Sequence, residues 1–250
     1  MASSKSRPDH DVAERFSLLD HAYAHRGLWT KDGMEENSLE AILAAAEAGF
    51  GCEIDVRPAA CGTPVVFHDE QLDRMTKASG PVSKRTADEL MEIGLAGGGT
   101  LPKLTQVLEA WPGETPLLVE MKIDGSTDAV GFAQLVASRV AEHAGPAALM
   151  SFSQRAVTAI PDELMKGALV MPSMLSREVT LDAMISAAAT LAPDYLACHV
   201  TDAMRASGIA TDYALPVAIW TVTSEAMADS IRTLPVSPIF EGFDPAFARG

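Results

Sequence analysis

The sequence contains few cysteines, few basic residues and no long hydrophobic run. Its three cysteines, Cys52, Cys61 and Cys198, are odd in number and widely spaced, which argues against a disulfide framework, although a Cys52–Cys61 pair stays open. No apolar run approaches the roughly 20 residues of a membrane-spanning helix. The polar first 20 residues also lack the apolar core of a signal peptide. We therefore expect a cytoplasmic protein that has no stable association with membranes.

The charge balance is strongly acidic, with 19 Lys and Arg against 34 Asp and Glu and a formal net charge of −15. Such a surface disfavours nonspecific binding to nucleic acids and to anionic membranes, because both are negatively charged. An anionic substrate would need a local positive site, so the positions of the few basic residues matter. We expect a small-molecule partner and no nucleic acid, and the composition predicts no oligomeric state.

Short apolar runs alternate with amphipathic stretches of helical spacing along most of the chain, a pattern that is typical of repeated β/α units. At 250 residues, the chain has the length of a single-domain α/β barrel. The sequence therefore predicts a TIM (β/α)8 barrel, and a doubly wound open sheet is the alternative. The eight apolar runs are 21–27, 51–57, 117–122, 148–152, 166–170, 195–200, 216–222 and 238–243.

The second unit departs from this pattern. A tight turn at Cys61-Gly62-Thr63-Pro64 precedes a short strand, a polar stretch, a weak helix over 87–93 and a glycine-rich loop. Residues 58–100 are therefore predicted to form a small insertion after the second strand. The domain organisation that we expect is an N-terminal leader with a short helix over 1–20, followed by one barrel domain over 21–250. The helix of the leader is predicted at 11–19, and a stunted last helix at 245–249.

Two acidic side chains lie inside the second apolar run. Glu53 and Asp55 are two apart on a predicted strand, so both point to one face, which in a barrel is the interior near the active-site rim. Two carboxylates this close repel unless a cation lies between them, and oxygen ligands favour Mg²⁺, Ca²⁺ or Mn²⁺. Glu120, at the end of the next barrel strand, can supply a third ligand. The alternative is a set of ion pairs with Arg57 and Lys122.

Two histidines end different predicted strands. His25 closes the first run and His68 closes the short strand of the insertion. Histidine titrates near neutrality and moves protons in both directions, so two histidines beside a phosphorus centre could act as base and acid. His199 ends the sixth run and is a further possible substrate contact.

Basic and aromatic side chains lie close to the same strand ends. Arg26 can grip phosphate oxygens with its planar fork, or pair with a surface acid. Lys122 can neutralise phosphate charge, or balance Glu120. Trp220 ends the seventh run and is either core filler or an apolar wall for the alcohol part of a substrate. In the run Glu36-Asn37-Ser38, the polar residues either cap the first helix or place Glu36 or Asn37 over the site.

As a set, in order and at suitable spacing, these motifs resemble the glycerophosphodiester phosphodiesterase family. The resemblance extends over residues 21–122, with weaker matches at Ser151-Phe152 and 219–222. The motifs that carry it are His25-Arg26-Gly27, Glu36-Asn37-Ser38, Glu53-Ile54-Asp55-Val56, Pro64-Val65-Val66-Phe67-His68-Asp69, Asp73-Arg74-Met75-Thr76, Leu101-Pro102-Lys103-Leu104 and Val119-Glu120-Met121-Lys122.

The resemblance implies a TIM barrel with a small insertion after the second strand. It also implies a mechanism in which a neighbouring hydroxyl of the substrate attacks phosphorus and water opens the cyclic intermediate. The roles that it implies are an acid/base pair in His25 and His68, a divalent metal site in Glu53, Asp55 and Glu120, and phosphate contacts from Arg26 and Lys122.

The chain departs from the family pattern at two places. The usual Asp-Gly turn is replaced by Cys61-Gly62, which should alter only the turn. The usual Thr-Asp pair after the eighth barrel strand is absent, and Glu241 is expected to reach the pocket instead. The loop at 94–100 and the ends of the fourth to eighth strands are expected to line the side of the pocket that holds the alcohol part of the substrate.

The function that we expect is metal-dependent hydrolysis of glycerophosphodiesters to glycerol 3-phosphate and an alcohol, with Mg²⁺ or Ca²⁺ as the cofactor. One alternative is a phospholipase D-like activity on lysophospholipids or sphingolipids, which predicts an exposed apolar rim. The other is a catalytically silent barrel that binds phosphorylated ligands. The paired histidines His25 and His68 argue against this second alternative, because a binding protein needs no proton shuttles.

Overall fold

Eight parallel strands close into a barrel in the computed structural model, which describes residues 15–249. The barrel closes because its first strand pairs with both the second and the last. The predicted TIM barrel is therefore confirmed, and the open sheet is wrong. In chain order the strands are β1 Tyr23–His25, β2 Gly51–Pro58, β3 Pro64–Val66, β4 Leu117–Met121, β5 Ala147–Ser151, β6 Met165–Leu169, β7 Tyr195–His199, β8 Val217–Val222 and β9 Val236–Phe240, of which β3 lies outside the barrel.

The helices begin where polar side chains can cap their first turn. Ser38, Ser153, Thr180 and Ser224 each accept a hydrogen bond from a backbone N–H three residues later. Within the described part of the chain, no helix is long and apolar enough to cross a membrane. The α-helices are α1 Leu39–Glu47, α2 Ala87–Met91, α3 Leu104–Ala110, α4 Ala129–Val140, α5 Gln154–Ala159, α6 Leu181–Ala189, α7 Ala203–Thr211 and α8 Glu225–Ile231.

Alternation along β2 separates two layers of the interior. Cys52, Ile54 and Val56 belong to the large core between the barrel and its helices. Glu53 and Asp55 point the other way, into the barrel. Below them the barrel is filled by a second apolar cluster, which includes Tyr23, Leu118, Met150, Tyr195 and Ile239. The carboxylates therefore lie above a packed floor, at the end of the barrel where active sites of this architecture lie.

The predicted insertion after the second strand is present. Strand β3 returns antiparallel to the end of β2, and the residues that follow have a small core of their own, which includes Leu72, Leu90 and Leu101. A capping box between Thr86 and Glu89 begins α2. The insertion is thus a packed unit beside the mouth of the barrel.

The predicted N-terminal helix over 11–19 is not found in its described part. Residues 15–17 are not helical, and Leu18–Asp20 forms one 3-10 turn. Leu18 is buried in the inner apolar cluster, and its backbone carbonyl accepts hydrogen bonds from the hydroxyls of Tyr23 and Ser237. The leader over 1–9 lies outside the described residues. The last helix is a single 3-10 turn, Pro245–Ala248.

All three cysteines are free thiols, so the Cys52–Cys61 pair that the spacing left open is absent. Cys52 and Cys198 are buried, whereas Cys61 is exposed in the turn before β3. A hydrogen bond with the hydroxyl of Thr63 lowers the pKa of Cys61 to about 7. This thiol is therefore substantially ionised at neutral pH.

We predict that the folded protein reacts with one equivalent of a thiol reagent such as DTNB at pH 7.5, and with three after denaturation. The reason is that only the Cys61 thiolate is both accessible and ionised. Cys61→Ser should abolish the native reaction and leave two thiols in the denatured chain. A native titre of zero, or of two or more, would contradict this assignment.

Candidate active site

Seven of the eight predicted site residues line one pocket of about 170 Å³ at the carboxyl-terminal end of the barrel, and the eighth, Asp55, contacts two of them, Arg26 and Lys122. The pocket has a charged side, formed at the ends of β1, β2 and β4, and an apolar side, formed at the ends of β5, β6 and β8. Its lining consists of His25, Arg26, Glu53, His68, Glu120, Lys122, Met150, Phe152, Leu169, Trp220, Thr221 and Ile239.

Three carboxylates form the floor of the charged side. The parallel register between β2 and β4 places Asp55 opposite Glu120, and Glu53 lies two residues earlier on the same face of β2. One oxygen from each of the three lies within 4.8 Å of the others, and all three residues are buried. The arrangement follows directly from the i, i+2 spacing and the strand pairing.

The negative charge of Asp55 is balanced by two cations and an amide. Lys122 Nζ lies 3.0 Å from Oδ1, Arg26 Nε lies 3.0 Å from Oδ2, and Asn37 Nδ2 donates to Oδ2 over 2.9 Å. Burial alone would favour the neutral acid, but Lys122 and Arg26 outweigh it and hold the pKa of Asp55 well below its ordinary value. Asp55 is therefore ionised in the folded protein.

The loop that supplies Arg26 and Asn37 is held by its own backbone. Both residues adopt left-handed backbone angles, with φ of 60° and 58°, and Asn37 N donates to the carbonyl of Arg26 over 2.8 Å. Among the polar residues of the run 36–38, Ser38 is the one that caps α1. The side chain of Asn37 instead points towards Asp55, and its Oδ1 accepts a hydrogen bond from the backbone N–H of Asp55.

Glu53 is not balanced in this way. Neither of its buried carboxylate oxygens has a hydrogen-bond partner among the described residues, and His25 Nε2 lies 3.8 Å from Oε2. Burial, together with the charges of Asp55 and Glu120, raises the pKa of Glu53 well above its ordinary value. A buried carboxylate without a partner is costly unless it binds a proton or a cation.

The donor set fits a hard divalent cation. Glu120 Oε1 lies 2.7 Å from Lys122 Nζ, yet burial still raises the pKa of Glu120. Glu53, Asp55 and Glu120 offer only oxygen atoms, the ligand type that Mg²⁺ and Ca²⁺ prefer. A cation among them would satisfy the orphaned oxygens of Glu53.

Each pocket histidine is oriented by a carboxylate. His25 Nδ1 lies 2.5 Å from Oε2 of Glu241, and His68 Nδ1 lies 2.7 Å from Oδ1 of Asp69. A carboxylate on Nδ1 favours the tautomer whose Nε2 is available to exchange protons. Burial lowers the pKa of His68, although the negative charge of Asp55 acts in the opposite direction and raises it. Glu241 therefore reaches His25, but, contrary to the expectation from the sequence, it does not itself line the described pocket.

A relay of ion pairs connects Arg26 to His68 through Glu36, Arg74 and Asp69. Glu36 accepts from Arg26 over 2.8 Å and from Arg74 over 2.6 Å, and Arg74 Nε donates to Asp69 over 2.5 Å. Neither Asp69 nor Arg74 was predicted to have a role from the sequence. Both lie in motifs that carry the family resemblance, at 64–69 and 73–76, and this was the signal that could have identified them. The relay fixes the orientation of His68 through Asp69.

The apolar side of the pocket is built around Trp220. Its ring lies edge-on to Phe152, with centroids 5.7 Å apart, and to His199, with centroids 5.1 Å apart. Because Trp220 lines the pocket and is only partly buried, it forms a wall there. Phe152 was not singled out, although it directly follows β5, where a side chain reaches the rim of a barrel.

Of the ion pairs that the sequence left open as an alternative, those of Lys122 are present but that of Arg57 is not, and one expectation about the pocket lining was wrong. Arg57 does not pair with Glu53 or Asp55, because it lies where β2 pairs with β3. Its Nε donates to the carbonyl of His68 over 2.6 Å, and its Nη1 lies 3.4 Å from Asp124. The loop at 94–100 also supplies none of the residues that line the described pocket; it lies against Glu35 and Glu40.

Curated relatives align with part of this chain. A glycerophosphodiester phosphodiesterase from Bacillus altitudinis is 31% identical over 112 residues, which is 42% of this chain and 45% of the relative. A second, from Caldanaerobacter subterraneus, is 33% identical over 108 residues, which is 40% of this chain and 43% of the relative. The chain thus spans less than half the length of these curated relatives.

Solved structures share the fold over nearly the whole chain. A phosphodiesterase from Oleispira antarctica in complex with the product sn-glycerol-3-phosphate has a TM-score of 0.77 at 22% identity, covering 91% of this chain and 94% of its own. A glycerophosphodiester phosphodiesterase from Thermotoga maritima has a TM-score of 0.72 at 21% identity, covering 92% and 96%. At such identities the likeness shows the barrel fold alone.

The model of the glycerophosphoryl diester phosphodiesterase family matches residues 25–242. That match begins at His25 and extends past Glu241, so it includes every side chain that forms the charged side of the pocket. The chain therefore belongs to the glycerophosphoryl diester phosphodiesterase family.

Proposed function

We propose that this protein hydrolyses glycerophosphodiesters to glycerol 3-phosphate and an alcohol. The observation that carries the proposal is the orphaned Glu53 carboxylate within a buried acidic cluster, beside two histidines that are each oriented by a carboxylate. A cation, an anionic phosphodiester and two proton transfers would use every one of these groups.

In this proposal the cofactor is a divalent metal ion, Mg²⁺ or Ca²⁺, held by Glu53, Asp55 and Glu120. When bound, it polarises the phosphoryl oxygens and neutralises developing negative charge. The spread of the three oxygens within 4.8 Å and their burial support this ligand set.

Arg26 and Lys122 hold the phosphate of the substrate. Both cations line the pocket. Each lies 3.0 Å from the carboxylate of Asp55, and this ion pair holds the positive charge beside the pocket. Asp55 and Glu120 raise the pKa of Lys122 despite its burial, so its ammonium group stays charged. The arginine fork suits two phosphate oxygens, and the lysine supplies a point charge.

His25 and His68 transfer the protons. One removes the proton from the attacking hydroxyl of the glycerol, and the other gives a proton to the departing alcohol. Water then opens the cyclic phosphodiester with the two roles exchanged. Glu241 and Asp69 hold the two rings through Nδ1, so each Nε2 is the atom that accepts or donates. Trp220 forms the wall on the alcohol side.

The silent binding barrel is the weaker alternative, because ligand binding alone would not require two carboxylate-oriented histidines. The proposed partner remains a small-molecule phosphodiester, without nucleic acid and without stable membrane association. Cytoplasmic location and the division at residue 20 stay predictions from the sequence.

We expect the purified protein to release glycerol 3-phosphate and choline from glycerophosphocholine when Mg²⁺ or Ca²⁺ is present. His25→Ala and His68→Ala should each lower kcat by about 10² or more, because each removes one proton shuttle. His143→Ala, outside the pocket, is the matched control. Wild-type-like activity in both pocket variants, with folding checked by circular dichroism, would refute the acid/base assignment.

Lys122→Ala should lower kcat/KM by about 10², because it removes a charge that faces the phosphate. Lys103 is a suitable control, since it pairs with Asp88 outside the pocket, and Lys103→Ala should leave the kinetics unchanged. Steady-state rates with glycerophosphocholine give both comparisons. Unchanged kinetics in Lys122→Ala would leave this residue with a structural ion pair only.

A further inference from the structure

Two tyrosines belong to the inner apolar cluster that fills the barrel beneath the carboxylates, and they differ in their hydrogen bonds. The hydroxyl of Tyr23 donates to the backbone carbonyl of Leu18 over 3.1 Å. The hydroxyl of Tyr195 is also fully buried, yet it has no hydrogen-bond partner in the described part of the chain. A buried hydroxyl without a partner destabilises the folded state, so its presence calls for an explanation.

The strand register directs Tyr195 towards the acidic side of the barrel. Tyr195 on β7 is paired with Gly167 on β6. From Gly167 the pairing continues through Met150 on β5 to Glu120 on β4. Paired residues on parallel strands point to the same side of the sheet, so all four face the interior.

Gly167 leaves room for the phenol ring of Tyr195 to lean across β6. A Cβ atom at this position would overlap the end of the ring and come within 2.7 Å of the hydroxyl oxygen. Because glycine has no side chain, the end of the ring occupies this space. The hydroxyl is therefore displaced from its own strand towards the strands that carry the acidic residues.

The phenol of Tyr195 is influenced by two carboxylates of the site. Burial raises the pKa of Tyr195, and the negative charges of Glu53 and Glu120 raise it further. The hydroxyl is therefore protonated at neutral pH and can donate one hydrogen bond. Of the two carboxylates, Glu120 already pairs with Lys122, whereas Glu53 has no donor among the described residues.

A cation in the acidic cluster would give Glu53 a need for such a donor. To bind a divalent cation, the carboxylate must be ionised, and its remaining lone pairs then only accept hydrogen bonds. Carboxylates that bind metals are themselves held by hydrogen bonds from a second layer of groups. The cationic side chains of the pocket, Lys122 and Arg26, are paired with other carboxylates. The Tyr195 hydroxyl is a buried donor that no other described group uses.

We propose that Tyr195 is a positioning residue for the acidic cluster and that its hydroxyl donates to the carboxylate of Glu53 when Glu53 holds a divalent cation. The contact is direct or passes through one buried water, which would satisfy both groups at once. This inference rests on the proposed function, because it concerns the metal site of that function. In it, Tyr195 touches neither the substrate nor the cation; it raises the cation affinity by holding one ligand in place.

The test is a calorimetric titration of metal-stripped protein with Mg²⁺ or Ca²⁺, for wild type and Tyr195→Phe. The variant should raise the dissociation constant about ten-fold or more, since outer partners of metal ligands contribute about 10- to 100-fold to metal affinity. Without the cation, Tyr195→Phe should melt no lower than wild type, because phenylalanine keeps the ring and removes only the unpaired hydroxyl. A role in packing alone would leave the dissociation constant unchanged.

Tyr23→Phe is the matched control, because it removes a partnered hydroxyl from the same buried cluster. It should lower the melting temperature of the metal-free protein and leave the dissociation constant of the cation at its wild-type value. The two tyrosine variants are therefore expected to show opposite patterns in melting and in binding.

The near-ultraviolet spectrum of tyrosine gives a second readout. A phenol that gains a hydrogen bond to a carboxylate absorbs at a longer wavelength, so adding the cation should shift the tyrosine absorption of wild type. The shift should persist in Tyr23→Phe and disappear in Tyr195→Phe. A shift that persists in Tyr195→Phe would assign it to another tyrosine and overturn the proposal.

The remaining outcomes separate this inference from the proposed function. Equal dissociation constants in wild type and Tyr195→Phe, or equal rises in both tyrosine variants, would overturn the inference and leave the proposed function standing. A metal-free Tyr195→Phe that melts as low as Tyr23→Phe would also overturn it, because the hydroxyl would then have a partner within the fold. No binding of either cation by wild type would overturn the proposed metal site and this inference with it.

Discussion

The compensation of Asp55 is the interaction on which the rest of the site depends. This carboxylate lies fully inside the barrel, where an unpaired charge would be prohibitive. Lys122, Arg26 and Asn37 gather around it from the end of β4 and from the loop after β1, so both cations of the pocket are held by this one carboxylate. Lys122 also pairs with Glu120, whereas the oxygens of Glu53 have no hydrogen-bond partner in the described part of the chain, and the three carboxylates together offer the oxygen ligands that a divalent cation prefers.

The second organising feature is the division of the barrel mouth. Ionised groups occupy the ends of the early strands, whereas the ends of β5, β6 and β8 carry apolar side chains that continue into a groove. The outer relay from Arg26 through Glu36 and Arg74 to Asp69 connects the two ends of the charged half.

Local sequence patterns predicted the barrel and the main site, because the strands and the directions of the site residues follow from short spacings along the chain. The i, i+2 spacing of Glu53 and Asp55 places both inside the barrel whatever the details of packing. The relay could not be predicted in this way, because Arg74 reaches Glu36 across 38 residues of chain. The alternative ion pair of Arg57 is absent because, where β2 pairs with β3, this side chain contacts the carbonyl of His68 and Asp124 instead. The exposed groove depends on how two loops pack, which periodicity does not encode.

The most direct test of the account is the melting temperature of metal-stripped protein with and without Mg²⁺ or Ca²⁺, for wild type and Glu53→Gln. The account predicts that saturating cation at about 100 times its dissociation constant stabilises wild type by about 2.7 kcal/mol. This raises its melting temperature by several degrees. Glu53→Gln should lose most of this rise, while its stripped form melts no lower than stripped wild type, because the amide removes a buried carboxylate. Equal shifts in both proteins, or none in wild type, would contradict the metal site.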